Sequence, residues 1–436
     1  MRPGGLVVLC SLLSALWGPR VAAQSHAAQA VSDRNETTAE AAKHDDDAKR
    51  RQEESHRGLR GWINRRITKF TSPSEVNGNG LSLSAGIIVA GSSLAGGVGY
   101  RHSDVLKGGI DVELNATVSV RRYQEYSAAI GLLNARASTL EFGSADTKVP
   151  SLFNASARKA RGSALYLEMR YLDYPQHTYY GTGIDSREGD RADYALSGTS
   201  VEGVWQRQIT PVLGFSARGG VLDLEVDPGH NDALVNVEDR FVPASIAGAR
   251  EQPRFITLGG GLVHDARSDT RVPQSGRMVG ISFRRFAATD MPDLSFTRVT
   301  LDARGYQPTF SRGVLAARAL VSNDFTRDNG STPFYLQQSL GGGETLRGFH
   351  SYRFPDQTLA HGTVEYRLRA HRFVEVAPFF DFGTVADGLS RLSLGSVKAT
   401  PGIGIRARTE HRYLGRLDLA HSPEGFRLAF GSGHVF

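Results

Sequence analysis

The sequence is poor in cysteine. It holds one, Cys10, inside an apolar stretch at the start of the chain. Disulfide frameworks, cysteine nucleophiles and thiolate metal sites are therefore excluded for everything beyond it. Long hydrophobic runs are also missing. After Leu6–Trp17 no stretch approaches the ~20 apolar residues that a membrane-spanning helix needs. Catalytic signatures are absent as well, with no Gly-x-Ser-x-Gly elbow and no His-Glu-x-x-His pair. Gly341-Gly342-Gly343 lacks the Gly-Lys-Ser/Thr ending of a phosphate loop, and Asp381-Phe382-Gly383 stands without the other elements of a kinase. His44 beside Asp45, Asp46 and Asp47 reads as a solvated charge run, and His361 near Glu365 as part of an ordinary strand. No catalytic residue, cofactor or metal is expected. The formal charge is +6 and the pI near 9.4, yet the basic residues are scattered singly through apolar stretches, so no nucleic-acid face is expected.

Three regions follow from composition. Residues 1–23 have a basic start at Arg2, a short apolar core and a small-residue end at Val21-Ala22-Ala23, the pattern of a secretory signal. Residues 24–77 are rich in charge and alanine and read as a periplasmic linker, disordered or partly helical. Residues 78–436 change texture into segments of alternating polarity separated by Gly, Asp, Asn and Pro turns.

The alternation is regular. Val112, Leu114, Ala116, Val118 and Val120 oppose Asp111, Glu113, Asn115, Thr117, Ser119 and Arg121. Val364, Tyr366 and Leu368 oppose Thr363, Glu365, Arg367 and Arg369, and Ile403 and Ile405 oppose Gly404, Arg406 and Arg408. Successive strand side chains point to opposite faces, so each segment has one apolar and one charged face. Charge of both signs on long strands, with aromatics near strand ends, fits lipid outside and a wet lumen inside. In lipid every backbone polar group must be paired, so the sheet must close on itself. Candidate strands fall near 79–90, 93–103, 108–120, 122–136, 162–174, 195–209, 211–223, 255–267, 277–288, 294–306, 312–324, 359–369, 374–386, 398–409, 414–421 and 425–436. These predict an all-β, sixteen-stranded antiparallel transmembrane barrel, the even strand number of single-chain bacterial barrels. The last strand is expected to run to the terminal aromatic, with Phe430 and Phe436 on it.

Four motifs in order carry a resemblance. They are Gly341-Gly342-Gly343 before Leu346-Arg347-Gly348-Phe349; Phe379-Phe380-Asp381-Phe382-Gly383; Asp265-Ala266-Arg267-Ser268-Asp269 with Pro273 to Gly276; and Gly402-Ile403-Gly404-Ile405-Arg406 leading through Arg416-Leu417-Asp418-Leu419 to Phe436. With these the chain resembles the bacterial surface antigen family, the barrel part of the BamA/TamA-type outer-membrane insertase superfamily. The resemblance implies that the loop holding Arg347 folds back into the lumen. It also implies that Arg347 pairs with Asp381 on the thirteenth strand. Alternation independently turns Glu375, Phe379, Asp381 and Gly383 inward, and Leu346 and Phe349 are expected beside small wall residues such as Gly383.

The implied role is assembly of proteins into the bacterial outer membrane, or their passage across it, by a seam between the first and last strands. Gly431 and Gly433 would weaken that seam. The family's periplasmic POTRA modules are expected to be lacking, since residues 24–77 are too short and too polar for one. The expected partners are outer-membrane lipid, unfolded outer-membrane or secreted proteins, and a periplasmic partner reached through residues 24–77. The alternative is a passive channel or lipid and solute transport barrel without insertase activity.

Overall fold

A computed structural model describes residues 79–105, 108–133, 163–242, 246–250, 252–327, 330–409, 413–431 and 435–436. The signal reading at 1–23, the linker reading at 24–77 and Gly433 lie outside the described residues.

Sixteen strands form one antiparallel sheet in which every neighbour in the chain is a neighbour in space. They begin with β1 (Gly80–Gly86), β2 (Ala95–His102), β3 (Asp111–Ser119), β4 (Gln124–Leu132), β5 (Ser163–Tyr179), β6 (Ala192–Gln208), β7 (Leu213–Pro228) and β8 (Phe255–Asp265). They continue with β9 (Gly276–Ala288), β10 (Phe296–Pro308), β11 (Gly313–Thr326), β14 (Thr358–His371), β15 (Val374–Ala386), β16 (Lys398–Arg408), β17 (Tyr413–Ser422) and β18 (Gly425–Gly431). Between β11 and β14 runs a long loop carrying its own small hairpin, β12 (Gln338–Leu340) paired with β13 (Phe354–Asp356).

Burial is inverted relative to a soluble protein. On β5 the apolar residues Leu165, Leu167, Met169 and Tyr171 are exposed while Glu168 and Arg170 are buried. On β18 the apolar residues Phe426, Leu428 and Phe430 are exposed, and on β17 Asp418 is fully covered. An apolar exterior around an ionic interior is stable only when the exterior meets hydrocarbon. The interior charges are paired accordingly, as buried ions must be. Asp302 accepts from Arg304 at 2.7 Å and Arg318 at 2.9 Å. Glu202 accepts from Arg284 at 2.5 Å, Thr257 at 2.9 Å and Arg218 at 3.3 Å. Short turns show the same local logic. Arg267 grips Asp265 with two bonds of 2.9 and 2.8 Å, and Gly276 (φ +96°) meets the Ala266 carbonyl so closely that a Cβ would stand 2.2 Å from it.

All sixteen expected strands are present, with two differences of detail. β5, β6 and β7 are longer than their sequence patterns, reaching Tyr179, Ala192 and Pro228. Pro175 hides the extension of β5, because the register shifts between Tyr174 and His177 and the proline sits in that bulge, where a missing N–H costs no ladder bond. The extensions turn Tyr174, Tyr179 and Tyr194 inward against Phe334 and Tyr335 of the long loop, an aromatic dome over this side of the lumen. The second difference is at the last strand. β18 ends at Gly431, and Phe436 leaves it for the lumen, where its ring is 1% exposed. It stacks on Tyr306 of β10 at 6.2 Å and lies under the Arg367 guanidinium at 5.1 Å. An aromatic face gains from that cation what it would lose by leaving lipid.

Candidate functional site

The loop from 327 to 357 enters the barrel because its sequence demands burial on both sides of Arg347. Leu346 and Phe349 join Leu320, Leu340, Phe354, Leu359 and Val385 in one apolar cluster. Gly348 allows the approach. A Cβ there would stand 2.8 Å from both the His421 carbonyl and the Thr400 methyl group. Ser422 fixes the point by donating to the Gly348 carbonyl at 2.8 Å.

Arg347 then reaches the wall as a bidentate fork. Its Nε donates to Asp381 Oδ2 at 2.9 Å and its Nη2 to Asp381 Oδ1 at 2.7 Å, while its backbone N–H also reaches Oδ2 at 3.2 Å. Nη1 donates to Glu365 at 3.1 Å, and Nη2 also to Thr363 at 3.3 Å. The guanidinium lies flat on the Phe379 ring, 3.2 Å from its centroid. Phe379 in turn covers Gly402, where a Cβ would collide with the ring at 2.2 Å. Planarity and five fixed donors make arginine the residue that can do all this at once. Asp381 is completed by Thr363 at 2.6 Å and Thr400 at 3.4 Å. Glu365 also accepts from Arg367 at 2.8 Å and Arg406 at 2.6 Å.

The loop holds further strands. Arg416 of β17 donates to the Gly343 carbonyl at 2.8 Å and to Glu344 at 2.9 Å. His361 of β14 meets the Thr345 carbonyl at 3.1 Å. His350 meets Arg427 of β18 and Glu188, the latter at 3.1 Å, through the same Nε2 atom. Burial, reinforced by the Arg427 charge, lowers the His350 pKa to about 4. Burial likewise raises Asp356 of the small hairpin to about 6.

Of the residues singled out from sequence, Leu346, Arg347, Gly348, Phe349, Asp381 and Gly383 come together here. One detail differs: Leu340 fills the space over Gly383, its Cδ1 lying 2.9 Å from where a Cβ would be, while Leu346 and Phe349 sit elsewhere in the same cluster. Phe430 lies on the lipid face of β18 and Phe436 inside the lumen, so these two do not share a face. Glu365, Phe379, Thr363, Arg406 and Asp418 were not singled out as partners. Their signal was in the alternation, which places all five on the inward face.

Sixteen consecutive antiparallel strands, a lipid-compatible exterior and an arginine-bearing loop latched inside define an outer-membrane β-barrel of the insertase and translocator type. Residues 76–422 match the Omp85 superfamily domain, and the chain belongs to that superfamily. Among solved structures it is similar to BamA from Haemophilus ducreyi lacking POTRA domains 1-3, at 15% identity and TM-score 0.57 over 86% of this chain and 78% of that one. It is also similar to CdiB from Escherichia coli, at 12% identity and TM-score 0.49 over 83% of this chain and 63% of that one. At such identities the likeness concerns the fold. No curated protein sequence matches the chain.

Proposed function

We propose that the barrel assembles other proteins into the outer membrane, or passes them across it, through the seam between β1 and β18. One observation carries this reading: among the described residues, no hydrogen-bonded ladder joins β1 to β18. Both strands are short, seven residues each. Both show lipid-side residues more exposed than most on the wall, with Leu81 at 74% and Phe426 at 75%. A strand edge with free N–H and C=O groups in a membrane is a template for an incoming strand. The passive channel is disfavoured by the long loop and aromatic dome, which occupy the lumen. Residues 24–77 are the segment through which a periplasmic partner would be reached.

The test is a reversible lock. Leu83→Cys on β1 and Leu428→Cys on β18 are paired by a flexible bifunctional thiol reagent with a cleavable linker, in proteoliposomes receiving an unfolded reporter barrel. The mature chain offers no competing thiol. Locked protein is expected to lose acceleration of reporter folding and to regain it on cleavage. Full activity of the locked form would refute the seam, and steady conductance in planar bilayers without any acceleration would favour the channel.

A further inference from the structure

A basic pocket opens at the end of the barrel where the long loop lies, away from the Arg347 latch. Its cavity is about 440 Å³. Arg121 and Arg122 of the tight turn between β3 and β4 form one wall, and His230 and Asn231 of the connection after β7 form the other. The Pro175–Gln176 bulge of β5 forms its floor. Among the described residues no carboxylate lines it.

The pocket is built rather than accidental. Tyr123 donates to the Gln176 carbonyl at 2.5 Å, tying the arginine turn to the bulge. His230 N–H reaches the Pro175 carbonyl at 3.1 Å, and the Gln176 side chain returns to the His230 carbonyl at 3.3 Å. Asp193 holds the Asn231 N–H at 2.9 Å from behind. Arg122 stands in the left-handed region at φ 67°, where Gly or Asn is the ordinary occupant. Strain of this kind persists only where the surroundings impose it, and it gathers at binding sites. Arg121 spends one N–H on the Gly91 carbonyl at 3.2 Å, and Arg122 has no hydrogen bond or ion pair among the described residues. The nearest acid on the lipid side, Asp173, is engaged by Gln124 at 3.4 Å.

Height fixes what the pocket meets. Tyr126 and Tyr171 stack at 6.1 Å on the lipid face and close the apolar band on these strands. Pro175 lies four residues further along β5, which on a strand tilted by ~40° is about 10 Å above the band. Val120, beside the arginines, is still 76% exposed on the lipid side. Two uncommitted guanidiniums at that level face headgroups, and guanidinium forks match phosphate oxygens.

The geometry points to a site for the phosphate of a phosphorylated membrane lipid, held by Arg121 and Arg122 with His230 and Asn231 as further donors. The site requires only that the barrel stand in a membrane, not that it move other proteins, so its failure would leave the seam reading intact.

The full barrel is reconstituted in nanodiscs with lipopolysaccharide, with enzymatically dephosphorylated lipopolysaccharide, or with neutral phospholipid plus millimolar inorganic phosphate. Lipid retained after release into detergent is read by native mass spectrometry. The intact glycolipid is expected to be retained, and retention to fall about tenfold for each arginine removed in Arg121→Gln and Arg122→Gln. Arg391→Gln, at an exposed position on another loop, is expected to leave retention unchanged. Unchanged retention in the Arg121→Gln/Arg122→Gln double variant would overturn the site. Equal retention of the dephosphorylated lipid would overturn it too, as would an equal fall in Arg391→Gln. Displacement of the lipid by inorganic phosphate would assign the pocket to a soluble anion instead. Should the double variant fail the heat-modifiable gel shift of a folded barrel, the comparison of the two glycolipids on the unmodified chain still decides.

Discussion

Arg347→Ala and Asp381→Ala, alone and together, measure how firmly the loop is latched. The two groups are fully covered, so neither side chain regains water when its partner is cut away. Removing one member of such a pair costs about 3–5 kcal/mol, because a buried charge is left behind. The surroundings set where in that range each variant falls. In Asp381→Ala, Arg347 keeps Glu365 at 3.1 Å, so the loss is expected at the lower end, about 3 kcal/mol. In Arg347→Ala, Asp381 keeps Thr363 and Thr400, but the Phe379 ring also loses its cation, so the loss is expected near 5 kcal/mol. The double variant leaves neither orphan, and the coupling is expected at about 2–3 kcal/mol. The assay is equilibrium unfolding in detergent or liposomes, followed by the gel shift between folded and unfolded barrel. Arg347→Lys is expected to recover less than half the loss, since an ammonium cannot fork onto Asp381 while reaching Glu365. Additive single losses would refute the pairing as the latch, and so would full recovery by lysine.

Two further outcomes follow from the same loop. Gly348→Ala places a methyl group 2.8 Å from the His421 carbonyl and the Thr400 methyl, and is expected to cost about 1–3 kcal/mol. Limited proteolysis between 341 and 356 should then become faster while the strands stay protected, and unchanged cleavage would refute the close approach. Acid should loosen the loop as well. His350 has a docked pKa of about 4 against an ordinary 6.5, so the undocked loop binds the extra proton first, and docking stability is full above 6.5 and declines as pH falls from there toward 4. Hydrogen exchange in the loop is expected to rise across that window and His350→Asn to flatten the response, whereas an identical response in the variant would rule out this histidine.

The barrel was legible in the sequence because one physical rule governs every strand. Alternation alone separates Phe380, 47% exposed, from Asp381, which is fully covered. It could not say which inward groups meet across the lumen, since that depends on shear and on a loop with no period of its own. Arg347 and Asp381 stood together on the page only through the family resemblance. Glu365, one strand over and also within reach of the guanidinium, was passed by as an ordinary strand residue. Phe436 was misplaced for a related reason. An aromatic at the end of an alternating strand looks like its next lipid-facing member. A cation inside the lumen, Arg367, supplied a competing partner that no local pattern announces. The extensions of β5 to β7 were hidden by Pro175 and by the loss of apolar alternation above the membrane, where strands no longer face lipid.

The ion network also bears on how a seam can exist in a stable barrel. Buried ion pairs give little net stability compared with apolar packing, yet they fix geometry because a misplaced charge is costly. Here they fix it unevenly around the wall. The loop is fastened to β14 and β15 through Arg347, to β17 through Gly348 and Arg416, and to β18 through His350. Those strands and the loop therefore form one cross-braced unit that includes the final edge. On the other side of the seam β1 to β4 are only seven to nine residues long, against sixteen or seventeen in β5 to β7, so their ladders hold fewer bonds. When a short ladder meets a braced one, opening follows the weaker side. Separation at the seam then amounts to β1 and its neighbours leaving an edge at β18 that the loop holds in place. That assigns the loop a physical task in a protein with no chemistry to perform: it keeps the template still while the gate moves.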